Sequence, residues 1–185
     1  MQLTPARAVT LNVLSLYGVA LVLAGAFAAQ LLLHELPCPL CLLQRVMFAL
    51  LAVGPILNIR FGPRTSHYAL SLLAAVMGAV VSGRQILLHI LPGDAGYGTA
   101  LLGYHYYTWA FIGFGLAIVL LAAVLLSDRQ FAHDASPPST GRFATVAVWL
   151  VIALTAANFL SSLLECGFKS CADNPVVYEL LKRAT

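Results

Sequence analysis

Charge is what this chain has least of: Lys, Arg, Asp and Glu make up 9% of its 185 residues, against 61% hydrophobic residues and a mean hydropathy of +0.90. A water-soluble domain carries about a quarter of its residues as charges. The shortage excludes such a domain and puts the chain in a lipid bilayer. One spanning helix takes ~20 apolar residues, so the length admits at most about six or seven spans with short connections. No room is left for a large extramembrane enzyme domain. Ten Lys and Arg give a net charge of +3, but spread over a multi-pass chain they mark topology rather than a nucleic-acid surface. No nucleic-acid partner is expected. Period-two alternation is missing too, since stretches such as LAIVLLAAVLL exclude a β-barrel. No internal repeat is evident.

What is present is a set of long apolar runs. Residues 8–33, 41–59, 68–91, 106–126 and 143–164 predict five transmembrane helices in a single all-α integral-membrane domain covering residues 1–185. Pro37, Gly62-Pro63, Pro92-Gly93 and Pro137-Pro138 punctuate the breaks. Cytoplasmic loops retain Lys and Arg. Arg7, Arg60, Arg64, Arg129 and Arg142 fall on one set of connections, while residues 34–37 and 92–105 hold no Lys or Arg. This predicts a cytoplasmic N-terminus and an outer tail, 165–185, although Lys169, Lys182 and Arg183 in that tail weaken the count. Arg7, an apolar run and Ala26-Phe27-Ala28 mimic a cleavable signal peptide. The run is longer than a usual signal core, so a retained first span is expected.

Only four cysteines occur, and all fall on the same predicted side of the membrane. Small apolar packing is the ordinary use of free cysteine. In a bacterial topology, however, the outer side is oxidising and lets disulfides persist. Cys38 and Cys41 form a C-x-x-C where the second helix begins, and the unpaired N–H groups of a helix N-terminus favour a thiolate. A thiolate is the species that attacks a disulfide or another electrophile. The same spacing also suits zinc, with His34 or the second cysteine pair as further ligands.

Arg45 favours redox chemistry. Positions 38, 41 and 45 share one helical face, which puts the guanidinium about 6 Å below Cys41 along the axis. A charge at that depth costs ~2.5 kcal/mol or more, unless it snorkels to the headgroups, and so marks a candidate functional site. Arg84, about seven residues from the outer end of the third helix, is a second candidate. Two such cations suit a carbonyl oxygen of a lipid-soluble acceptor and the anion formed on its reduction. Cys166 and Cys171, just past the fifth helix, bracket a short loop that a disulfide would staple, either as a shuttle or as a purely structural link. Beyond them, Asp173-Asn174-Pro175 reads as a cap before a short interfacial helix carrying Val176, Val177, Leu180 and Leu181 on one face.

These residues resemble the DsbB-type disulfide bond formation proteins of bacterial inner membranes. The likeness rests on PCPLCLLQR (37–45), GAVVSGRQILLHILP (78–92) and GYHYYTWAFI (103–112), and it extends over at least the first four spans. It implies a four-helix bundle, here with a fifth transmembrane helix added. It also implies that the protein reoxidises a periplasmic DsbA-like protein of thioredoxin fold and passes the electrons to ubiquinone or menaquinone. Cys38 and Cys41 would be the quinone-coupled pair, with Cys41 nearer the ring and Arg45 supporting the quinone. The resemblance gives Arg84 no such firm role. In that pattern the second cysteine pair lies between the third and fourth helices. Here residues 92–105 contain no Cys, and the pair follows the fifth helix in an ECG-x-x-x-C-x-x-NP ending similar to that of a subgroup.

The expected mechanism is a relay in which a partner thiolate reduces Cys166–Cys171, that dithiol reduces Cys38–Cys41, and Cys41 donates to the quinone. The rival readings are a membrane scaffold or assembly factor with a metal-binding C-x-x-C, for which His34, His89 and His105 stand near the outer face, and electron flow in the reverse direction. Tyr104, Tyr106, Tyr107 and Trp109 are read as an aromatic anchor at the interface.

Overall fold

The computed structural model describes residues 3–131 and 141–182, so Pro137-Pro138 and Arg183 lie outside the described residues. Six α-helices build a bundle: α1 (Pro5–Leu32), α2 (Pro39–Leu51), α3 (Val53–Phe61), α4 (Thr65–Leu88), α5 (Tyr106–Leu125) and α6 (Arg142–Cys166). Joined end to end, α2 and α3 act as one segment, which gives five helical segments long and apolar enough to cross a membrane. The fold is an all-α membrane bundle. The five segments follow the expected runs to within a few residues at most ends, because in lipid every backbone N–H and C=O must be satisfied within the helix.

Helix starts follow local chemistry. Pro5 and Pro39 occupy first-turn positions, where a missing N–H costs nothing. Thr4 Oγ1 accepts from the Arg7 N–H at 3.4 Å, and Cys38 Sγ accepts from the Cys41 N–H at 3.2 Å. The second span breaks at Ala52 because Pro55 cannot donate to the Leu51 carbonyl and its ring crowds it. The Ser71 hydroxyl of α4 takes that freed carbonyl at 2.8 Å. The break is therefore stitched to the neighbouring helix.

α2 stands at the centre, with α4 and α5 on one side and α1 and α6 on the other. α4 and α5 meet closely where Gly78 leaves space for the Phe114 ring; a Cβ there would collide with it. Phe114 stacks on Phe48 of α2 with ring centroids 4.0 Å apart. α1 and α5 make little contact, which leaves a groove between them floored by Phe48. At the end of the bundle away from the cysteines, buried polar groups tie helices together. Asn12 donates to the Tyr68 hydroxyl at 2.9 Å, Tyr68 donates to Gln130 at 3.0 Å, and Asn58 donates to Asn12 at 3.0 Å.

At the cysteine end, the connection from α4 to α5 folds into a small hairpin, β1 (Ala100–Leu101) with β2 (Tyr104–His105). Its turn, Leu102-Gly103, has φ of 51° and 84°, so both central residues are left-handed, as a tight two-residue hairpin requires. The Glu35 carboxylate accepts from the Thr99 N–H at 3.0 Å and from its hydroxyl, and Tyr97 donates to the Leu36 carbonyl at 2.6 Å. These bonds moor the loop over the start of α2. The tail corrects one expectation: instead of an interfacial helix it forms a single 3-10 turn, Glu179–Leu181. A helix this short gains little from its own hydrogen bonds. Val176 is 85% exposed, and the tail is held instead by Tyr178, whose hydroxyl accepts from Gln30 at 2.9 Å.

Candidate functional site

Both cysteine pairs are disulfides, Cys38–Cys41 and Cys166–Cys171, with Cα separations of 5.0 and 4.6 Å. Pro39 starts α2 and leaves Cys38 as its cap, so the first disulfide sits on the helix N-terminus where backbone N–H groups point at sulfur. Cys38 is buried and Cys41 half-buried. Gln85 of α4, 1% exposed, aims its side-chain N–H at both sulfurs, 3.2 Å from Cys38 Sγ and 3.5 Å from Cys41 Sγ. Gln44 of α2 holds that amide in place by donating to its oxygen at 2.8 Å. A thiolate formed here therefore meets donors already oriented toward it.

Arg45 lies about one turn below Cys41 and is held on three sides. It donates to Gln30 of α1 at 2.7 Å, to the Ala26 carbonyl at 2.9 Å and to Asn158 of α6 at 3.4 Å, with the Phe27 ring centroid 5.5 Å away. These bonds use three of its five N–H groups. Gln30 is the hub, because its amide also donates to Ser161 at 2.7 Å and to Tyr178. One cluster thus joins α1, α2, α6 and the tail.

A cavity of about 510 Å³ opens between α1 and α5, lined by Cys41, Gln44, Arg45, Tyr97, Tyr107 and Trp109 among mostly apolar groups. A second, of about 490 Å³, continues the groove past Phe48 toward the far end. Outside the spans, burial, and behind it the carboxylates of Glu165 and Glu35, push the Tyr97 phenol above its ordinary value. Asp94 is pulled below the usual carboxylate range by the Gly96 N–H at 2.8 Å and then by His89 at 3.0 Å.

The structure therefore brings Cys38, Cys41 and Arg45 to one site. Arg84 is not brought there: it is exposed, because one residue of helix rotates it about 100° away from Gln85, which points inward. Reading by charge selected Arg84 and missed Gln85, Gln44 and Gln30. Periodicity was the available signal. Ser71, Ala74, Ala75, Gly78, Ser82 and Gln85 form the buried stripe of α4, and Arg84 is not on it. Glu165 was missed likewise, although it completes the buried stripe Ala144, Ala147, Val151 and Asn158 of α6. Cys166 is buried and Cys171 half-buried. His89 pairs with Asp94, and His105 bonds the Gly98 carbonyl at 3.0 Å. Among the described residues no three His, Cys, Asp or Glu side chains gather as a metal-ligand set.

Fold and site together define a multi-pass helical membrane protein with a disulfide capping a helix at the mouth of a lipid-side cavity. A family model described as disulfide bond formation protein DsbB matches residues 8–99. The disulfide bond formation protein B of Xanthomonas axonopodis pv. citri is 40% identical over 77 residues, which is 39% of this chain and 45% of the relative. The disulfide bond formation protein B 2 of Burkholderia lata is 41% identical over 71 residues, 38% of this chain and 42% of the relative. Over residues 8–99 the chain is similar to DsbB-type proteins. It spans less than half the length of these relatives, and α5, α6 and the second cysteine pair lie beyond the family match. No solved structure matches the chain.

Proposed function

We propose that this protein is a thiol:quinone oxidoreductase of the bacterial inner membrane, with a cytoplasmic N-terminus, that reoxidises a periplasmic DsbA-like dithiol and supports disulfide bond formation. The observation that carries the reading is the 510 Å³ cavity lined by both Cys41 and Arg45. Its size lies within the ordinary range for small-molecule sites. Among the described residues two N–H groups of Arg45 have no partner and suit a quinone carbonyl, the Tyr107 and Trp109 rings supply an apolar wall, and the groove past Phe48 suits an isoprenoid tail. Bound there, a ubiquinone or menaquinone would accept the electron pair.

The chain's own residues supply the rest. The partner thiolate attacks Cys171, the more open sulfur of the tail pair, and the tail dithiol then reduces Cys38–Cys41. The Cys41 N–H and the Gln85 amide stabilise negative sulfur in the first pair, and Cys41 faces the cavity. Arg45, fixed by Gln30 and the Ala26 carbonyl, presents its charge to the developing quinol oxygen without having to reorganise.

Quinone reduction by the purified full chain, driven by a reduced thioredoxin-fold donor, tests the reading. Cys38→Ser or Cys41→Ser should abolish turnover, and full activity without them refutes the proposal. Dispensable Cys166 and Cys171 would make the tail disulfide structural and bring the partner to the first pair directly. Redox titration against the partner fixes the direction of flow.

A further inference from the structure

Both oxygens of Glu165 are buried without a hydrogen-bond partner among the described residues, and the side chain is 2% exposed. A carboxylate left this way would cost several kcal/mol, which favours the protonated form. Its position is specific. α2 runs inward from the cysteine end, and α6 runs back toward it and packs against it. Asn158 of α6 meets Arg45 of α2 at 3.4 Å. Seven residues from that contact along each helix, about 10 Å at 1.5 Å per residue, bring α2 to Cys38 and α6 to Glu165. Glu165 thus lies toward the cysteine end of the bundle, near Arg45, and is the chain neighbour of the buried Cys166.

We propose that Glu165 is the proton-transfer group of the exchange between the two cysteine pairs, giving its proton to Cys166 when the tail disulfide is reduced and taking it back when Cys166 attacks Cys38. The inference rests on the relay reading above. While Cys166 is in a disulfide it has no S–H to offer, so an acceptor reserved for it stands unpartnered, as Glu165 does in the doubly oxidised structure.

The steps balance. The partner thiolate bonds to Cys171, the Cys166–Cys171 bond breaks, and the Cys166 thiolate takes the Glu165 proton. The partner's second thiol then forms the partner disulfide and leaves Cys171 as a thiol, the released proton of that second thiol ending on Cys171. Next, Cys166 returns its proton to Glu165 as its sulfur bonds to Cys38, and Cys41 leaves as a thiolate. Cys171 attacks Cys166, re-forming the tail disulfide, and its proton ends on Cys38. Two electrons have moved from partner to first pair, Glu165 is again neutral, and Cys41 holds the electron pair for the acceptor.

Among the described residues, Arg45 from α2 and Tyr97 from the α4–α5 connection interact electrostatically with Glu165, while Tyr178 from the tail and the Gln30 amide of α1 gather around Arg45. Arg45 is the cation that offsets the carboxylate during the interval when Cys166 holds the proton. Glu179 is exposed and paired with Lys182 at 2.5 Å, and Lys169 is exposed.

The test uses the full chain in quinone-free nanodiscs, mixed with a reduced thioredoxin-fold donor, quenched with acid and alkylated so that each pair is followed separately. Transfer from the tail pair to Cys38–Cys41 should slow about 100-fold in Glu165→Gln, with its pH dependence flattened. Glu165→Asp should restore part of the rate and the pH dependence, and Glu179→Gln should behave as wild type. Wild-type rate and pH profile in Glu165→Gln overturn the inference. Infrared difference spectra of the wild type make the test independent of how the variant folds: reduction of the tail pair should convert a carboxylic-acid C=O band to a carboxylate band. An unchanged band also overturns the inference. If the wild-type tail pair never reduces Cys38–Cys41, the relay itself fails, whereas a working relay with an indifferent Glu165→Gln sinks only the proton role.

Discussion

Replacing Gln85 by Leu should make the Cys38–Cys41 pair harder to reduce. The Gln85 amide donates to both sulfurs at 3.2 and 3.5 Å, and Leu keeps the shape while removing the donor. A hydrogen bond to a charged group is worth about 1.5–3 kcal/mol, against about 0.5–1.5 for a neutral one. The dithiol form, with Cys41 as a thiolate, therefore loses about 1–1.5 kcal/mol more than the disulfide form. At about 1.4 kcal/mol per 30 mV, the potential should fall by roughly 20–30 mV. The variant also leaves the Gln44 amide without its 2.8 Å acceptor, at a stability cost of about 1–3 kcal/mol. The potential is read by equilibrating the chain in glutathione buffers and counting alkylated Cys38 and Cys41 by mass spectrometry, with Cys166 and Cys171 replaced by Ala so that one pair titrates. A potential unchanged, or shifted upward, would refute the idea that Gln85 favours the reduced form.

Arg45→Met should lower kcat/KM for quinone about 100-fold, equivalent to about 2.7 kcal/mol of transition-state stabilisation, while alkylation still finds Cys38–Cys41 reducible by a small dithiol. Gly78→Val should lower stability by about 1–3 kcal/mol, seen as a reduced Tm in detergent, because the new Cβ meets the Phe114 ring. The Asp94 contacts have a pH window set by their sign. A carboxyl lowered in the folded state contributes above the ordinary value of about 3.9 and is lost as pH falls through its folded value. Hydrogen exchange at the Gly96 N–H should therefore lose protection only in acid, and Asp94→Asn should weaken that protection at neutral pH.

The spans were legible because lipid permits few solutions: a run of about 20 apolar residues must close its own backbone hydrogen bonds. The C-x-x-C and Arg45 were legible because cysteine before a proline-started helix and a charge below it are local patterns. Break and hairpin were less so. Pro55 lies inside the run 41–59 and was not read as a break, and that Ser71 would satisfy the Leu51 carbonyl depended on where α4 packs. Leu102 in a left-handed turn gave no compositional warning. The tail misled because its apolar spacing fits a helix, while the Tyr178 contact with Gln30 competes with that conformation.

By itself the sequence determined that the chain is a multi-pass helical membrane protein and that its cysteines cluster at the ends of spans, since both follow from hydropathy and short-range spacing. Only the tertiary structure decided which polar side chains serve those cysteines. A helix face is selected by its neighbours, so Gln85 turns inward while Arg84 turns out. Gln30 becomes a hub because α1, α2, α6 and the tail converge on it. Glu165 is brought near Arg45 by the packing of α6 against α2, a relation between residues 120 positions apart that no local pattern encodes.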